Sequence, residues 1–130
     1  MLLPEQIAAA VHAYVDAFER GDPEGVVTLF AEDGVVEDPV GTPPHVGHNA
    51  IRAFYTQSMQ TGARLRLQQP IRVGSDYAAF AFQVRLMMDG KKLTVDVIDI
   101  FRFNADGQVA KMEAYFGPAN FGTDTEEGKK

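Results

Sequence analysis

The 130-residue chain contains no cysteine and no tryptophan. Without thiols there are no disulfides, no thiolate nucleophile and no thiolate metal site. A glycine-rich phosphate loop, a dinucleotide fingerprint and a G-x-S-x-G nucleophile elbow are also missing. Positive charge is scarce: 12 Lys and Arg stand against 18 Asp and Glu, a net charge of −6. Nucleic acid binding needs a basic patch, so that class of partner is not expected. No stretch approaches the roughly 20 apolar residues of a membrane-spanning helix. The opening MLLPEQIAAAVHAYV has no basic n-region and is interrupted by Glu5 and His12, so it does not read as a signal peptide. These absences lead to the expectation of a cytoplasmic protein with no membrane association. Its length suits a single domain over residues 1–120, followed by a polar, frayed tail over 121–130.

What is present centres on residues 93–103, LTVDVIDIFRF. β-Branched and aromatic residues alternate there, with turn residues on either side, which predicts a strand. One face carries Leu93, Val95, Val97, Asp99, Phe101 and Phe103, so Asp99 is the one polar residue on an apolar face. Burial without a cation raises a carboxyl pKa. A carboxylic acid kept neutral near pH 7 is a hydrogen-bond donor, suited to hold a developing oxyanion. The strand alone leaves a second reading open, in which Asp99 bonds a structural tyrosine, arginine or backbone group.

Residues 4–20 have apolar side chains at helical spacing, Ile7, Val11, Tyr14, Val15 and Phe18 among them, with Pro4 in the first turn and Gly21 after the last. A buried Tyr14 needs a hydroxyl partner. Asp22 and Pro23 open a second short helix with Val26, Val27, Leu29 and Phe30 on its apolar side, closed by Glu32-Asp33-Gly34. Residues 35–40, VVEDPV, read as a short extended segment that ends at Pro39. Asp38 shares a face with Val36 and Val40, a second carboxylate among apolar neighbours. His45 and His48 form an H-x-x-H pair on a proline-containing loop. They lack helical geometry and an evident third ligand, so no metal site is expected. A third helix follows over 49–60, with Tyr55 on or near its apolar stripe.

After Gly62 the period changes to two. Strands are predicted around residues 65–73, 77–88, 93–103 and 108–116, with Asp89-Gly90 as a hairpin turn. Helices followed by a meander of long strands define an α+β domain. Three amphipathic helices over one face of a curved sheet leave an apolar pocket. The second faces, with Ala79, Ala81, Ile98 and Ile100, are apolar enough for a dimer interface. The pocket would gather Asp99, Tyr14, Asp38 and Tyr55. Its chemistry would be acid–base work on an apolar substrate, with one carboxylate ionised and one neutral.

At these residues the chain resembles ketosteroid isomerase (steroid delta-isomerase), over roughly residues 4–118. The carriers are AYVDAFERGD around Tyr14, VVEDPVGTPPHVG around Asp38, IRAFYTQ around Tyr55 and VDVIDIFRF around Asp99. The resemblance implies the conical α+β fold of nuclear transport factor two, scytalone dehydratase and the polyketide cyclases: three N-terminal helices on a strongly curved, largely antiparallel sheet around an apolar pocket. It implies a homodimer with no cofactor. It implies that Asp38 is the general base that moves a proton on a steroid substrate, while Tyr14 and protonated Asp99 stabilise the dienolate. A carboxylic acid held neutral beside a tyrosine is that family's known hallmark and comes here with the resemblance. Tyr55 matches the supporting tyrosine. Phe30 stands where some members carry a third one, which shortens the hydroxyl network. Phe82, Val84, Leu86, Phe101, Met112 and Phe116 are the candidate walls for the steroid. The same fold hosts other functions. Another cofactor-free enzyme, a cyclase or dehydratase using Asp38 or His45, and a non-catalytic module for an apolar ligand are the alternatives.

Overall fold

A computed structural model describes residues 1–123 of the chain. Three helices, α1 (Pro4–Arg20), α2 (Pro23–Val27) and α3 (His48–Met59), pack on a seven-stranded sheet. The strands are β1 (Phe30–Glu37), β2 (His45–Val46), β3 (Arg64–Val73), β4 (Tyr77–Met88), β5 (Lys91–Phe103), β6 (Val109–Tyr115) and β7 (Phe121–Thr123). The sheet order is β2-β1-β6-β5-β4-β3, with β7 on β5. All pairings are antiparallel except β1 with β6. This is the expected α+β architecture of helices over one face of a curled sheet.

Local chemistry explains the elements. α1 buries Ile7, Val11, Tyr14, Ala17 and Phe18, one stripe at helical spacing. It ends at Gly21, whose φ of 62° is left-handed and whose N–H donates to Phe18. The Asp22 carboxylate accepts from the Gly25 N–H at 3.2 Å and so starts α2. Arg52 on α3 pairs with Glu24 on α2. β5 is the longest strand, 13 residues, and its burial alternates as its sequence does: Val95, Val97, Asp99, Phe101 and Phe103 are buried, while Asp96, Ile98 and Arg102 are exposed.

β5 is also central. Lys91 to Arg102 pair with β4, Ile98 to Phe103 pair with β6, and Leu93 to Val95 pair with β7. A bulge in β3 between Gln68 and Arg72 contains Pro70, which cannot donate to the ladder. Among the described residues no helix is long and apolar enough to cross a membrane.

Three sequence expectations are corrected. Phe30 and the Glu32-Asp33-Gly34 segment belong to β1, not to α2, which stops at Val27. The Val109 N–H donates to the Leu29 carbonyl at 2.8 Å, and Phe30 pairs with Val109, so strand pairing overrides the helical spacing. His45 and Val46 are not loop but a short strand on β1. Phe121–Thr123, placed in a frayed tail by composition, pairs with β5 because the long strand leaves an unpaired edge there. The rest of that tail, 124–130, lies outside the described residues.

The core is closed by aromatic packing at the far end from the β4–β5 hairpin. Phe101 is fully buried, its ring 5.0 Å from that of Phe80, 5.2 Å from Tyr14 and 6.4 Å from Phe30. Phe101→Ala is expected to cost about 3–5 kcal/mol, the price of truncating a buried phenylalanine that its neighbours cannot replace. Urea unfolding measures it, and a loss below about 1 kcal/mol would mean the aromatic cluster relaxes into the space.

Candidate active site

Strand register brings the four polar candidates together. Asp99 on β5 lies between Phe80 on β4 and Ala114 on β6. The Ala114 carbonyl accepts the Val40 N–H at 2.8 Å, just past Pro39. Glu37, the last residue of β1, pairs with Glu113 and takes the Gly41 N–H on its side-chain oxygen at 2.9 Å. Asp38 is thus held from both sides, two strands across from Asp99. Tyr14 from α1 and Tyr55 from α3 descend from the helical layer. Their hydroxyls meet at 2.9 Å, and both side chains are buried. Phe30 is buried against Phe101, so the hydroxyl pair has no third tyrosine at that position.

These residues line a cavity of about 430 Å³, within the range of small-molecule sites. Its walls include Phe82, Val84 and Leu86 of β4, Val95 and Val97 of β5, and Phe116. Of the expected wall residues, Phe101 and Met112 do not reach it. Both are fully buried, paired with each other across β5 and β6 beneath the cavity floor. Period-two spacing selected their face, but they lie past Asp99 toward the closed end. Phe18, Phe54, Gln57, Ser58, Thr61, Ala63, Leu65, Met88 and Phe121 line the cavity without having been singled out. Phe18 follows Tyr14 by one helical turn, a spacing from which it could have been found. The two histidines are engaged elsewhere: His45 packs on the Phe54 ring at 4.4 Å, and His48 Nε2 bonds the Phe30 carbonyl at 2.9 Å. Among the described residues no three His, Asp or Glu side chains are grouped to hold a metal.

Asp99 is 1 % exposed, and neither carboxyl oxygen has a hydrogen-bond partner among the described residues. Burial pushes its pKa well above the usual carboxylate value, and the nearby Asp38 charge adds to the rise. The Tyr14 hydroxyl opposes the shift without closing a hydrogen bond of normal geometry. Burial likewise raises both phenols, so they stay neutral. If Tyr55 donates to Tyr14, the Tyr14 proton is left to point toward the cavity. Asp38 sits partly buried on the cavity wall, where burial raises its pKa to about 6. At pH 7 it is therefore mainly ionised and still basic enough to take a proton.

The neutral state of Asp99 has a direct readout. In infrared spectra of protein labelled at aspartate, a carboxylic-acid C=O band should persist at pH 7 and disappear in Asp99→Asn. Carboxylate bands alone at that pH would mean Asp99 is ionised.

Comparison with known proteins agrees with this fold. The SnoaL-like domain matches residues 11–112. A steroid Delta-isomerase of Nocardioides simplex is 34% identical over 116 residues, which cover 88% of this chain and 93% of that protein. Among solved structures, the epoxide hydrolase/cyclase-like enzyme SalBIII, described in pyran ring formation in polyether salinomycin, superposes with a TM-score of 0.86 at 19% identity. That match covers 92% of this chain and 96% of the other. At that identity it speaks for the fold alone.

Proposed function

The chain belongs to the SnoaL-like domain family, within the nuclear-transport-factor-two-like fold, and from that membership we propose that it is a steroid delta-isomerase. It moves the double bond of a β,γ-unsaturated 3-ketosteroid into conjugation with the ketone. The ionised Asp38 takes a proton from C4, and the C–H electron pair becomes the C3–C4 double bond of a dienolate. Negative charge moves to the C3 oxygen, where Tyr14 and neutral Asp99 donate hydrogen bonds. Asp38 then returns the same proton to C6, and the C4–C5 double bond forms. One proton leaves and one arrives, so the reaction balances without a co-reactant.

The observation that carries this reading is the pairing of environments in one apolar cavity. A carboxylate on the cavity wall has its pKa raised to about 6, and an unpartnered, fully buried carboxyl lining the same cavity has its pKa pushed well above the usual carboxylate value. A base poised near neutrality and a neutral donor are what proton transfer through an enolate requires. The 34% identity to a steroid Delta-isomerase supports steroid as the substrate class.

The test is to mix purified protein with androst-5-ene-3,17-dione and follow the ultraviolet absorbance of the conjugated enone. Turnover well above the buffer rate is expected. An unchanged spectrum with saturable steroid binding would leave a binding module in its place.

A homodimer accompanies this proposal. On the outer face, Ile98 and Tyr115 pair across β5 and β6 at 49% and 43% exposure. Such a patch is suited to burial against a second copy.

A further inference from the structure

The candidate cavity is longer than the ring system of a steroid. With Asp99 level with Phe80, the inward residues of β4 run outward as Phe82, Val84, Leu86 and Met88, and all four line the cavity. At about 3.4 Å per residue, Met88 lies up to about 27 Å along the strand from the Asp99 level, less whatever curvature removes. From ordinary bond lengths, the C3 oxygen and C17 of a steroid are about 10 Å apart. With the C3 oxygen on Tyr14 and Asp99, C17 comes to the level of Val84 and Val95, which pair with each other. Leu86 and Met88 lie beyond it.

From that level outward the cavity wall is apolar and exposed. Met88 is 46% exposed, and Phe121, which pairs with Val95, is 45% exposed. Both still line the cavity, and Phe121 packs on Phe116 with ring centroids 5.9 Å apart. Large apolar side chains left facing water at the end of an apolar channel gain most from a hydrocarbon that continues along it.

Resting on the isomerase reading above, we propose that the preferred substrate is a 3-ketosteroid with a hydrocarbon side chain at C17, and that Leu86, Met88 and Phe121 form the subsite for that chain. The opposite wall carries Gln57, Ser58 and Thr61. Those groups set up the competing outcome, recognition of an oxygen at C17. The Thr61 hydroxyl is already committed, donating to the Ser58 carbonyl at 2.7 Å.

Isomerisation of cholest-5-en-3-one and androst-5-ene-3,17-dione, both delivered from the same cyclodextrin solution, separates the two. The chain-bearing steroid should have a KM lower by about tenfold or more, since each methylene buried in an apolar site favours binding. Met88→Ser should raise the KM for the cholestenone by a larger factor than for the dione, with kcat for the cholestenone little changed. A preference for the dione, equal KM values, or an equal rise for both substrates in Met88→Ser would overturn the side-chain subsite and leave the isomerase reading standing. Absence of turnover with either steroid would overturn both.

Discussion

Asp38→Asn should abolish isomerisation while leaving the steroid site intact. The amide cannot accept the C4 proton, and among the described residues no other base lines the cavity, since Asp99 is held neutral and His45 is stacked on Phe54. A loss of about 10⁴-fold in kcat is expected, the upper end of what a positioned general base contributes. Binding, followed by quenching of tyrosine fluorescence, should change little, because the apolar walls are untouched. In the unmodified protein, kcat/KM should fall about tenfold per pH unit below pH 6, as Asp38 takes up its own proton. Retained activity in Asp38→Asn would place the base elsewhere.

The same substitution has a stability consequence whose sign follows from linkage. The folded-state pKa of Asp38 is raised above that of the unfolded chain, so the folded state binds this proton more tightly. That stabilisation is fully present below the unfolded value of 3.8 and is lost as pH rises through about 6. Asparagine has no charge to disfavour. Asp38→Asn should therefore be more stable than the parent at pH 8, by at most about 3 kcal/mol for a shift of about two pH units, with no gain near pH 4. Urea unfolding at the two pH values measures it. An active site that is less stable with its base than without it is the trade between function and stability expected of such sites.

The organising strand was legible because β5 alternates in apolar residues, and a carboxyl at the position of an inward valine stands out on that face, although the strand alone left open whether Asp99 serves chemistry or a structural bond. Asp99 could therefore be found from spacing alone. Asp38 could be suspected from Asp-Pro at the end of an apolar segment. Its proximity to Asp99 depends on Val40 reaching the Ala114 carbonyl, a contact across 74 residues that no local pattern encodes. The Tyr14–Tyr55 bond spans 41 residues and is equally non-local.

Alternation assigns a face but not a depth, and that is why Phe101 and Met112 were counted with the cavity walls although they lie beneath its floor. The α2–β1 boundary was misplaced for a related reason. Val26, Val27, Leu29 and Phe30 fit a helical stripe, yet Phe30 is claimed by β6 through Val109. Phe121 went unnoticed because a three-residue strand in a polar context carries almost no periodic signal.

The oxyanion donors give the second large effect, and their substitutions separate donation from charge. Tyr14→Phe removes a hydroxyl and leaves the ring packing on Phe18, Phe80 and Phe101 in place. A loss of about 10²–10³-fold in kcat is expected for one such donor, with KM changed far less, because the bond strengthens only as charge reaches the oxygen. Asp99→Leu should cost a similar factor. Asp99→Asn should cost much less, about tenfold, because a neutral amide still donates.

That contrast is the discriminating one. Were Asp99 needed as a carboxylate, asparagine would fail as badly as leucine. Under the proposed role as a neutral donor, asparagine should retain activity and also stabilise the fold at neutral pH, where the aspartate must hold its proton against solution. In the proposed mechanism the two donors face the same oxygen, so the Tyr14→Phe, Asp99→Leu double variant should lose less than the product of the single losses. A fully multiplicative result would mean that Tyr14 and Asp99 act on different atoms, and the shared oxyanion site would fall with it.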